Sequence, residues 1–402
     1  MANNVADGDA VTDAIGGVAI AERPVSSRQK LLPELRLSRD VPARSLRAHL
    51  SRLPEAAPAR VERPLIETDT APGFSALRRI TVGRGPIAGI GVDSRDGRIH
   101  VTNQADDSVA VLDATSSAVV AVVEGVTEPS AVAIADGRTV VATVTMSHDA
   151  VTVVDAGAEA PVVEHPLALS VRDVAVESTG RYVYAARSGR DGADLAIVDT
   201  STGRVATMDL GTRAGAAAVA ATVSPDGTRV YVATVDDLGG ELVAVDTATR
   251  RVVGGLAFPA PLRDVVVSPD GATVYVGTCD LSFGGVIDVV DVRRMRVVDT
   301  VDVGGLITQL VAATDGDRLY VVGMERVSVV SLATREIVDT ITVVDQPSCV
   351  AESSDGKQLF IADYAGAVTV LTAASSTESL LAKMMASDII DVPMLELERA
   401  DA

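Results

Sequence analysis

The chain has 402 residues and is 47% hydrophobic, yet only 2% aromatic and free of Trp, so Val, Ala, Ile and Leu must build its core. Its formal net charge is −20. Residues 1–63 contain ten Lys and Arg against eight Asp and Glu, which leaves −22 on the remainder. An acidic body repels phosphate backbones, which argues against a nucleic acid partner.

The N-terminal segment lacks the features of a secretory signal. It has no basic region, and its apolar piece at 14–21 is too short and too rich in glycine. No apolar run approaches the length of a membrane span. These features predict a cytoplasmic protein, with the cell envelope or secretion by a route without a cleavable signal as the alternative. Cys279 and Cys349 fall in different repeats, which indicates two buried small side chains and no disulfide.

Residues 1–73 are predicted to be an N-terminal arm, mostly irregular because seven prolines interrupt it. Between Pro42 and Pro54, leucines at i, i+4 and i+7 predict one short helix that also carries arginines. The leucines are Leu46, Leu50 and Leu53, and the arginines are Arg44, Arg47 and Arg52. Two interpretations stay open: a basic amphipathic helix for peripheral contact with an anionic membrane or a partner, or an arm lying on the acidic body.

From residue 74 onward a turn recurs seven times between β-rich runs, six times as Asp-Gly and once as Thr-Gly. Its glycines are 40, 43, 47, 44, 45 and 40 residues apart: Gly97, Gly137, Gly180, Gly227, Gly271, Gly316 and Gly356. Asp-Gly is typical of a type I′ hairpin turn, in which both central residues need positive φ. A repeat of 40–47 residues with four strands predicts a seven-bladed β-propeller of antiparallel four-stranded blades over 74–372.

The ends of the repeat region predict how the ring closes. After Thr372 no fourth strand follows; residues 373–402 instead read as a short C-terminal helix and tail. The segment 76–82 contains Ile-Thr-Val, as does the predicted fourth strand at 341–343. We therefore expect 76–82 to complete blade seven, so that the two ends of the repeat region share one sheet.

The repeats at 223–234 (VSPDGTRVYVAT) and 267–278 (VSPDGATVYVGT) closely resemble the YVTN-type β-propeller repeat family. The pattern continues at 319–321 and 109–120 and covers roughly 74–372. The resemblance implies the fold and says little about activity, because the motif consists of strand and turn residues.

Several activities found on propellers lack their residues in this chain. Covalent haem needs Cys-x-x-Cys-His, and the two Cys of this chain are isolated. Tryptophan-docked quinones need Trp, which the chain lacks. Metal sites need clustered ligands, and the four His are scattered. We therefore expect no cofactor and assign no catalytic residue or metal ligand. A lactonase-like hydrolase remains the alternative, because carboxylates gathered from separate loops at the channel mouth, with or without a divalent metal, leave no local motif.

Two features of the predicted loop face could bind a ligand. The loops between second and third strands are rich in aspartate, which indicates either a cation surface or ordinary turn chemistry, and we favour the latter. The innermost strands of blades three and five start with Arg-Asp pairs in the same register. The equivalent of the Asp is Gln309 in blade six, Ser130 in blade two and Cys349 in blade seven.

The pairs predict a ligand-binding rim at the channel mouth, formed by Arg172, Asp173, Arg263, Asp264 and Gln309. Inward arginines would bind a carboxylate or phosphate ester, inward aspartates would favour a cation, and pairing within or between blades would only fix blade spacing. The sequence thus favours a non-catalytic scaffold or binding protein that presents its loop face and channel rim to a protein partner or small ligand. We expect a monomer.

Overall fold

The computed structural model describes residues 73–374 except 117, 136–137, 145–148, 155–162, 168–169, 190 and 281–283. The predicted arm and C-terminal helix lie outside the described residues, in 1–72 and 375–402. The described residues form seven four-stranded antiparallel sheets. The fold is therefore the predicted seven-bladed propeller.

Each blade starts with an innermost strand and returns through a second strand that hydrogen-bonds to it. The innermost strands are β2 (Ile87–Val92), β6 (Pro129–Ala135), β10 (Ser170–Val176), β14 (Ala217–Val223), β18 (Leu262–Val267), β22 (Ile307–Ala312) and β26 (Pro347–Glu352). The second strands are β3 (Arg98–Asn103), β7 (Arg138–Val144), β11 (Tyr182–Ser188), β15 (Arg229–Asp236), β19 (Thr273–Asp280), β23 (Arg318–Gly323) and β27 (Gln358–Asp363). Consecutive innermost strands contact one another around the ring and line its central channel.

Third and outer strands complete the blades. The third strands are β4 (Ser108–Asp113), β8 (Asp149–Val154), β12 (Ala193–Asp199), β16 (Gly239–Asp246), β20 (Gly284–Asp291), β24 (Val327–Ser331) and β28 (Ala367–Ala373). The outer strands are β5 (Ala118–Glu124), β9 (Val163–Leu167), β13 (Arg204–Asp209), β17 (Arg251–Phe258), β21 (Arg296–Asp302), β25 (Glu336–Ile341) and, for blade seven, β1 (Phe74–Thr81). One 3₁₀ turn, Gln104–Asp106, lies between β3 and β4.

The two ends of the described chain meet in blade seven. β1 pairs antiparallel with β28, from Phe74 opposite Ala373 to Thr81 opposite Ala367. The backbone bond from Ala374 N to Gly73 O, 2.8 Å long, extends this pairing by one step. The segment predicted to close blade seven therefore forms its outer strand, and no blade lacks a fourth strand.

The hairpin turns differ in type from the prediction. In the six described turns that carry the repeated glycine, it has a φ near +70°, but none of the residues before it has a positive φ. In blade four, Gly227 N donates to Ser224 O at 2.8 Å, and Asp226 Oδ1 accepts from Thr228 N at 3.0 Å. The type I′ prediction was wrong because the loop is longer than two residues and the Asp acts as a side-chain acceptor within it.

The core lies between the blades rather than inside any one of them. Tyr231 of blade four is buried and packs with Leu262 and Val276 of blade five, and Tyr320 of blade six packs with Leu359 of blade seven. Each such side chain contributes roughly 1.5–3 kcal/mol when fully buried. Both faces of every sheet are thus covered, which explains the nearly continuous valine runs of the strands.

An ionic cluster on the loop face joins the strand that closes the ring to its neighbours. Arg79 of β1 donates through Nη2 to Asp345, and to Asp363 Oδ2 at 2.8 Å. Asp363 is 1% exposed, and its other oxygen accepts from Ala365 N and Ala367 N at 3.0 and 2.9 Å. Removal of the cation from such a buried pair would leave an uncompensated charge and should be strongly destabilising.

Candidate functional site

The predicted rim residues lie at a β-bulge that all seven innermost strands share. In blade three, Val171 pairs with Arg187 and Asp173 with Ala186, so Arg172 is an inserted residue without a partner on β11. Arg263 is inserted in the same way in blade five. A bulge interrupts the regular alternation of side chains and redirects those next to it.

Arg172 and Arg263 are exposed at this bulge. Within the part of the chain that the structure describes, neither guanidinium has a hydrogen bond or a salt bridge. Two arginines at equivalent positions of blades three and five are therefore free to bind a group from outside. Their planar donors match a carboxylate or phosphate group.

Asp173 is only partly exposed and accepts hydrogen bonds from backbone amides of two blades. Its Oδ1 accepts from Val174 N of its own strand at 2.8 Å, and its Oδ2 accepts from Ala221 N of blade four at 2.9 Å. Both amides belong to innermost strands and face the channel, away from the second strands. The carboxylate therefore connects blades three and four along the channel wall.

Asp264 repeats this arrangement between blades five and six. Its Oδ1 accepts from Val265 N at 2.8 Å, and its Oδ2 accepts from Leu310 N at 2.6 Å. Gln309 continues the series, since its Oε1 accepts from Val350 N of blade seven at 2.8 Å. An uncharged amide makes the same contact as a carboxylate here, so the contact to the next blade needs an acceptor oxygen and not a negative charge.

The two aspartates have pKa values far from the ordinary one. Burial inside the ring raises the pKa of Asp173 to about 6. Burial raises that of Asp264 to about 7, and repulsion from the charge of Asp173 adds to this shift. The amide hydrogen bonds act in the opposite direction in both cases, because they stabilise the ionised form.

One position in this series, that of blade two, differs from what counting along the sequence suggested. Ser130 is the inserted residue of blade two, and its Oγ donates to Ala142 O at 3.2 Å; Ala131 is the equivalent of Asp173. The count from the turn glycine was wrong here because Ala135 pairs with Arg138 across a turn of only two residues. In blade seven the equivalent is Cys349, as predicted, and burial raises the pKa of its thiol to about 12.

Most aspartates of the predicted acidic loops bind arginines or turn amides of the protein itself. Arg84 Nε contacts Asp106 Oδ1 at 2.8 Å, and Arg213 Nη1 contacts Asp236 Oδ2 at 3.3 Å. The almost fully buried Arg187 binds Asp194 through two bonds of 2.7 and 3.0 Å and donates to Thr207 Oγ1. The turn-chemistry interpretation thus accounts for these loops, and sequence alone gave no signal for the arginine partners, which come from other strands and loops.

A cavity of about 390 Å³ opens beside the blade-six loops on the same face. It is lined by residues 303–307 before and within β22 and by residues 323–326 after β23, including the exposed Met324 and Arg326. Its volume is in the range of small-molecule sites. The cavity lies one blade beyond Arg263 in ring order.

The described residues contain no group of three or more His, Cys, Asp or Glu arranged to hold a metal ion. They also include no helix of the length and apolar character that crossing a membrane requires.

Comparison with known proteins supports the fold and reveals no activity. The solved structure of hydrazine synthase from Kuenenia stuttgartiensis superimposes with a TM-score of 0.62 over 79% of this chain and 99% of that one. At 20% identity this likeness shows the fold alone. No family model matches the chain.

Two curated relatives are similar in sequence. A seven-bladed beta-propeller protein of Mycolicibacterium smegmatis is 39% identical over 183 residues, which are 46% of this chain and 50% of that protein. The seven-bladed beta-propeller protein Rv1057 of Mycobacterium tuberculosis is 36% identical over 351 residues, which are 78% of this chain and 88% of that protein. The chain therefore belongs to this family of seven-bladed β-propeller proteins.

Proposed function

We propose that the protein is a non-catalytic binding protein whose channel rim takes the carboxylate or phosphate group of a small ligand. The observation that carries this proposal is the contrast between adjacent side chains of two blades. Asp173 and Asp264 use both carboxylate oxygens on backbone amides, whereas Arg172 and Arg263 are exposed and have no partner among the described residues. The same chemistry would accept an acidic side chain of a protein partner.

The electrostatics of the loop face favour selectivity over general anion binding. Other arginines there, including Arg79, Arg84 and Arg213, already pair with aspartates. An arriving anion therefore meets the exposed guanidinium groups of Arg172 and Arg263, with that of Arg326 at the blade-six cavity, within an acidic surrounding that repels weakly matched anions. The ligand would need a group that binds bidentately, and the cavity at blade six offers space for its remaining atoms.

A hydrolase using the rim aspartates is less well supported. Their pKa values of about 6 and about 7 are suited to proton transfer near neutral pH. However, a general base needs an oxygen free to approach the substrate, and all four oxygens accept backbone amides. A lactone hydrolysis assay on the wild type tests this alternative, and activity that disappears in Asp264→Asn would favour it over binding.

Thermal shift measurements with a panel of mono-, di- and tricarboxylates and phosphate monoesters test the proposed function. A ligand at one hundred times its Kd stabilises the native state by about 2.7 kcal/mol, which is a readily measured rise in Tm. Arg172→Ala combined with Arg263→Ala should weaken the binding of any hit roughly tenfold or more, since each charge-assisted hydrogen bond contributes about 1.5–3 kcal/mol.

The matched control removes two exposed arginines elsewhere, Arg251→Ala with Arg296→Ala, from the outer strands of blades four and five. The net charge changes equally in both double variants, so general electrostatics cancel. Equal loss of binding in the two, or no hit in the whole panel, would contradict a specific anion site at the rim.

A further inference from the structure

One level of the channel wall carries seven equivalent backbone amides, one from each blade. They belong to the residue that follows the Asp173 position: Ile90, Val132, Val174, Ala221, Val265, Leu310 and Val350. In blade one, Asp93 N donates to Arg98 O, so Asp93 belongs to a hydrogen-bonded pair. Hydrogen-bonded and non-hydrogen-bonded pairs alternate along an antiparallel ladder, so Ile90, three residues before Asp93 and opposite Val101, belongs to a non-hydrogen-bonded pair. Ile90 N therefore faces away from β3 and into the channel, and Val132 N does so in blade two by the same register.

Five of these amides have acceptors, and three side chains supply them. Asp173 binds the amides of blades three and four, Asp264 those of blades five and six, and Gln309 that of blade seven. Each aspartate binds the amide of its own blade and the amide of the next blade. Val174 and Val265 therefore have acceptors even though the preceding blades, two and four, carry alanine at the Asp173 position. The arrangement covers the wall continuously from blade three to blade seven.

The amides of Ile90 and Val132 have no side-chain acceptor among the described residues. The blade-one equivalent of Asp173 is Gly89, and a Cβ atom built on it would lie 3.0 Å from Val132 N. The same Cβ would lie 3.0 Å from Val132 Cγ1, so blade two packs closely against this position and a side chain there requires Val132 to shift by a few tenths of an ångström. Cys349 of blade seven, next before blade one, offers a thiol instead of an oxygen.

Ile90 is buried and Val132 is half-buried. An amide that is withdrawn from water without an acceptor costs about 1–3 kcal/mol, so amides that lack a protein acceptor normally bind water or a ligand. Glycine in a strand marks a bulge or a close approach by another backbone or a ligand, and at Gly89 both a bulge and the backbone of blade two are present. We propose that the channel wall at blades one and two is a ligand subsite, in which a carbonyl-type oxygen accepts hydrogen bonds from Ile90 N and Val132 N. It uses no arginine, so it can exist whether or not Arg172 and Arg263 bind an anion.

The ring itself supplies a test by exchange of equivalent residues. Gly89→Asp should reproduce the blade-three arrangement, with the new carboxylate accepting from Ile90 N and Val132 N. Asp173→Ala should do the reverse and free Val174 N and Ala221 N. The two substitutions therefore move the open part of the wall from one pair of blades to another, and Gly89→Asp also requires Val132 to shift by a few tenths of an ångström to admit the new Cβ.

The measurement is amide NMR of the ¹⁵N-labelled, deuterated full chain during titration with acetate and, separately, with acetamide. We expect saturable shifts at Ile90 and Val132, and with acetamide none at the five amides that already have acceptors. Acetate can in addition shift Val174 and Val265 through the neighbouring Arg172 and Arg263, and those shifts alone should vanish in Arg172→Ala with Arg263→Ala. A response to acetate identifies a carboxylate oxygen and a response to acetamide identifies a neutral carbonyl oxygen, and either supports the subsite. No response to either compound, or equal response of all seven amides, would overturn it.

The variants make the outcome specific. In Gly89→Asp the response at Ile90 and Val132 should disappear, and in Asp173→Ala new responses should arise at Val174 and Ala221. If Gly89→Asp does not fold, Asp173→Ala alone remains decisive, because an unchanged pattern there would show that an open amide in this wall does not bind an acceptor. Loss of anion binding at the rim arginines would leave the shifts at Ile90 and Val132 as they are.

Discussion

The ionic cluster of Arg79, Asp345 and Asp363, here named the seam of blade seven, and the rim of the channel both place arginines beside aspartates. The two regions use these charges differently. At the seam, Arg79 is half-buried and binds two aspartates, one of which, Asp363, is 1% exposed. At the rim, Arg172 and Arg263 are exposed and unpaired among the described residues, while the aspartates next to them hold backbone amides. The charges of the seam thus stabilise the ring, and the free charges of the rim remain available for binding.

Removal of the closing strand should have the largest effect. Deletion of residues 1–83 exposes the edge of β28, removes Arg79 and opens the ring, because β1 is the outer strand of blade seven. We expect loss of the cooperative thermal transition in calorimetry. Deletion of residues 1–70 keeps β1 and serves as the control, which should melt like the full chain; equal damage from both deletions would mean that closure does not depend on β1.

Breaking the seam at a single residue should cost less. Arg79→Met leaves the buried Asp363 carboxylate without its cation, and an uncompensated charge in such a site costs about 3–5 kcal/mol. Urea unfolding should therefore show a clearly lower midpoint. Arg84→Ala is the control, because its side chain is 88% exposed and surface ion pairs contribute about 0–1 kcal/mol. A difference between the two variants within error would argue against the seam.

Asp264 and Asp173 should produce a pH dependence that the seam lacks. Their pKa values of about 7 and about 6 lie above the unfolded value of 3.8, so the native state binds more protons over that interval. The stability they contribute is fully present below about pH 4 and is lost as the pH rises through the folded pKa values. Relative to Asp173→Asn with Asp264→Asn, the wild type should lose about 4 kcal/mol between pH 5 and pH 8, since each pKa unit corresponds to about 1.4 kcal/mol.

That difference is measured by urea unfolding of both proteins at several pH values. A constant difference across the range would show that the two carboxylates do not change protonation near neutral pH. A wild type that gains stability with rising pH would contradict the direction of the shifts.

Sequence reasoning reached the architecture and the register of the rim, because both are periodic. The turn glycines predicted seven blades, and the matching Ile-Thr-Val segments predicted which strand closes the ring. The Arg-Asp pairs were in register because blades three and five have turns of the same length. Wherever the turn changed, as at Ser130 in blade two, counting gave a neighbouring residue.

The chemistry of the rim was beyond the sequence for a physical reason. Alternation along a regular strand would direct only one member of each pair into the channel, whereas the bulge inserts Arg172 and leaves Asp173 paired with β11. Which amides then lack an acceptor depends on the next blade, as Gly89 and Val132 show. Contacts between residues about 45 positions apart need the closed ring before they can be recognised.

The ligand-free melting temperature of Arg172→Ala with Arg263→Ala tests the central claim most directly. If these arginines serve binding and not the ring, their removal should leave Tm within about 1 °C of wild type, as expected for exposed side chains whose replacement changes stability by less than about 0.5 kcal/mol. Asp173→Ala with Asp264→Ala, measured alongside, should lower Tm by several degrees because four channel amides lose their acceptors. An arginine variant that melts as early as the aspartate variant would contradict the account and show that Arg172 and Arg263 are structural.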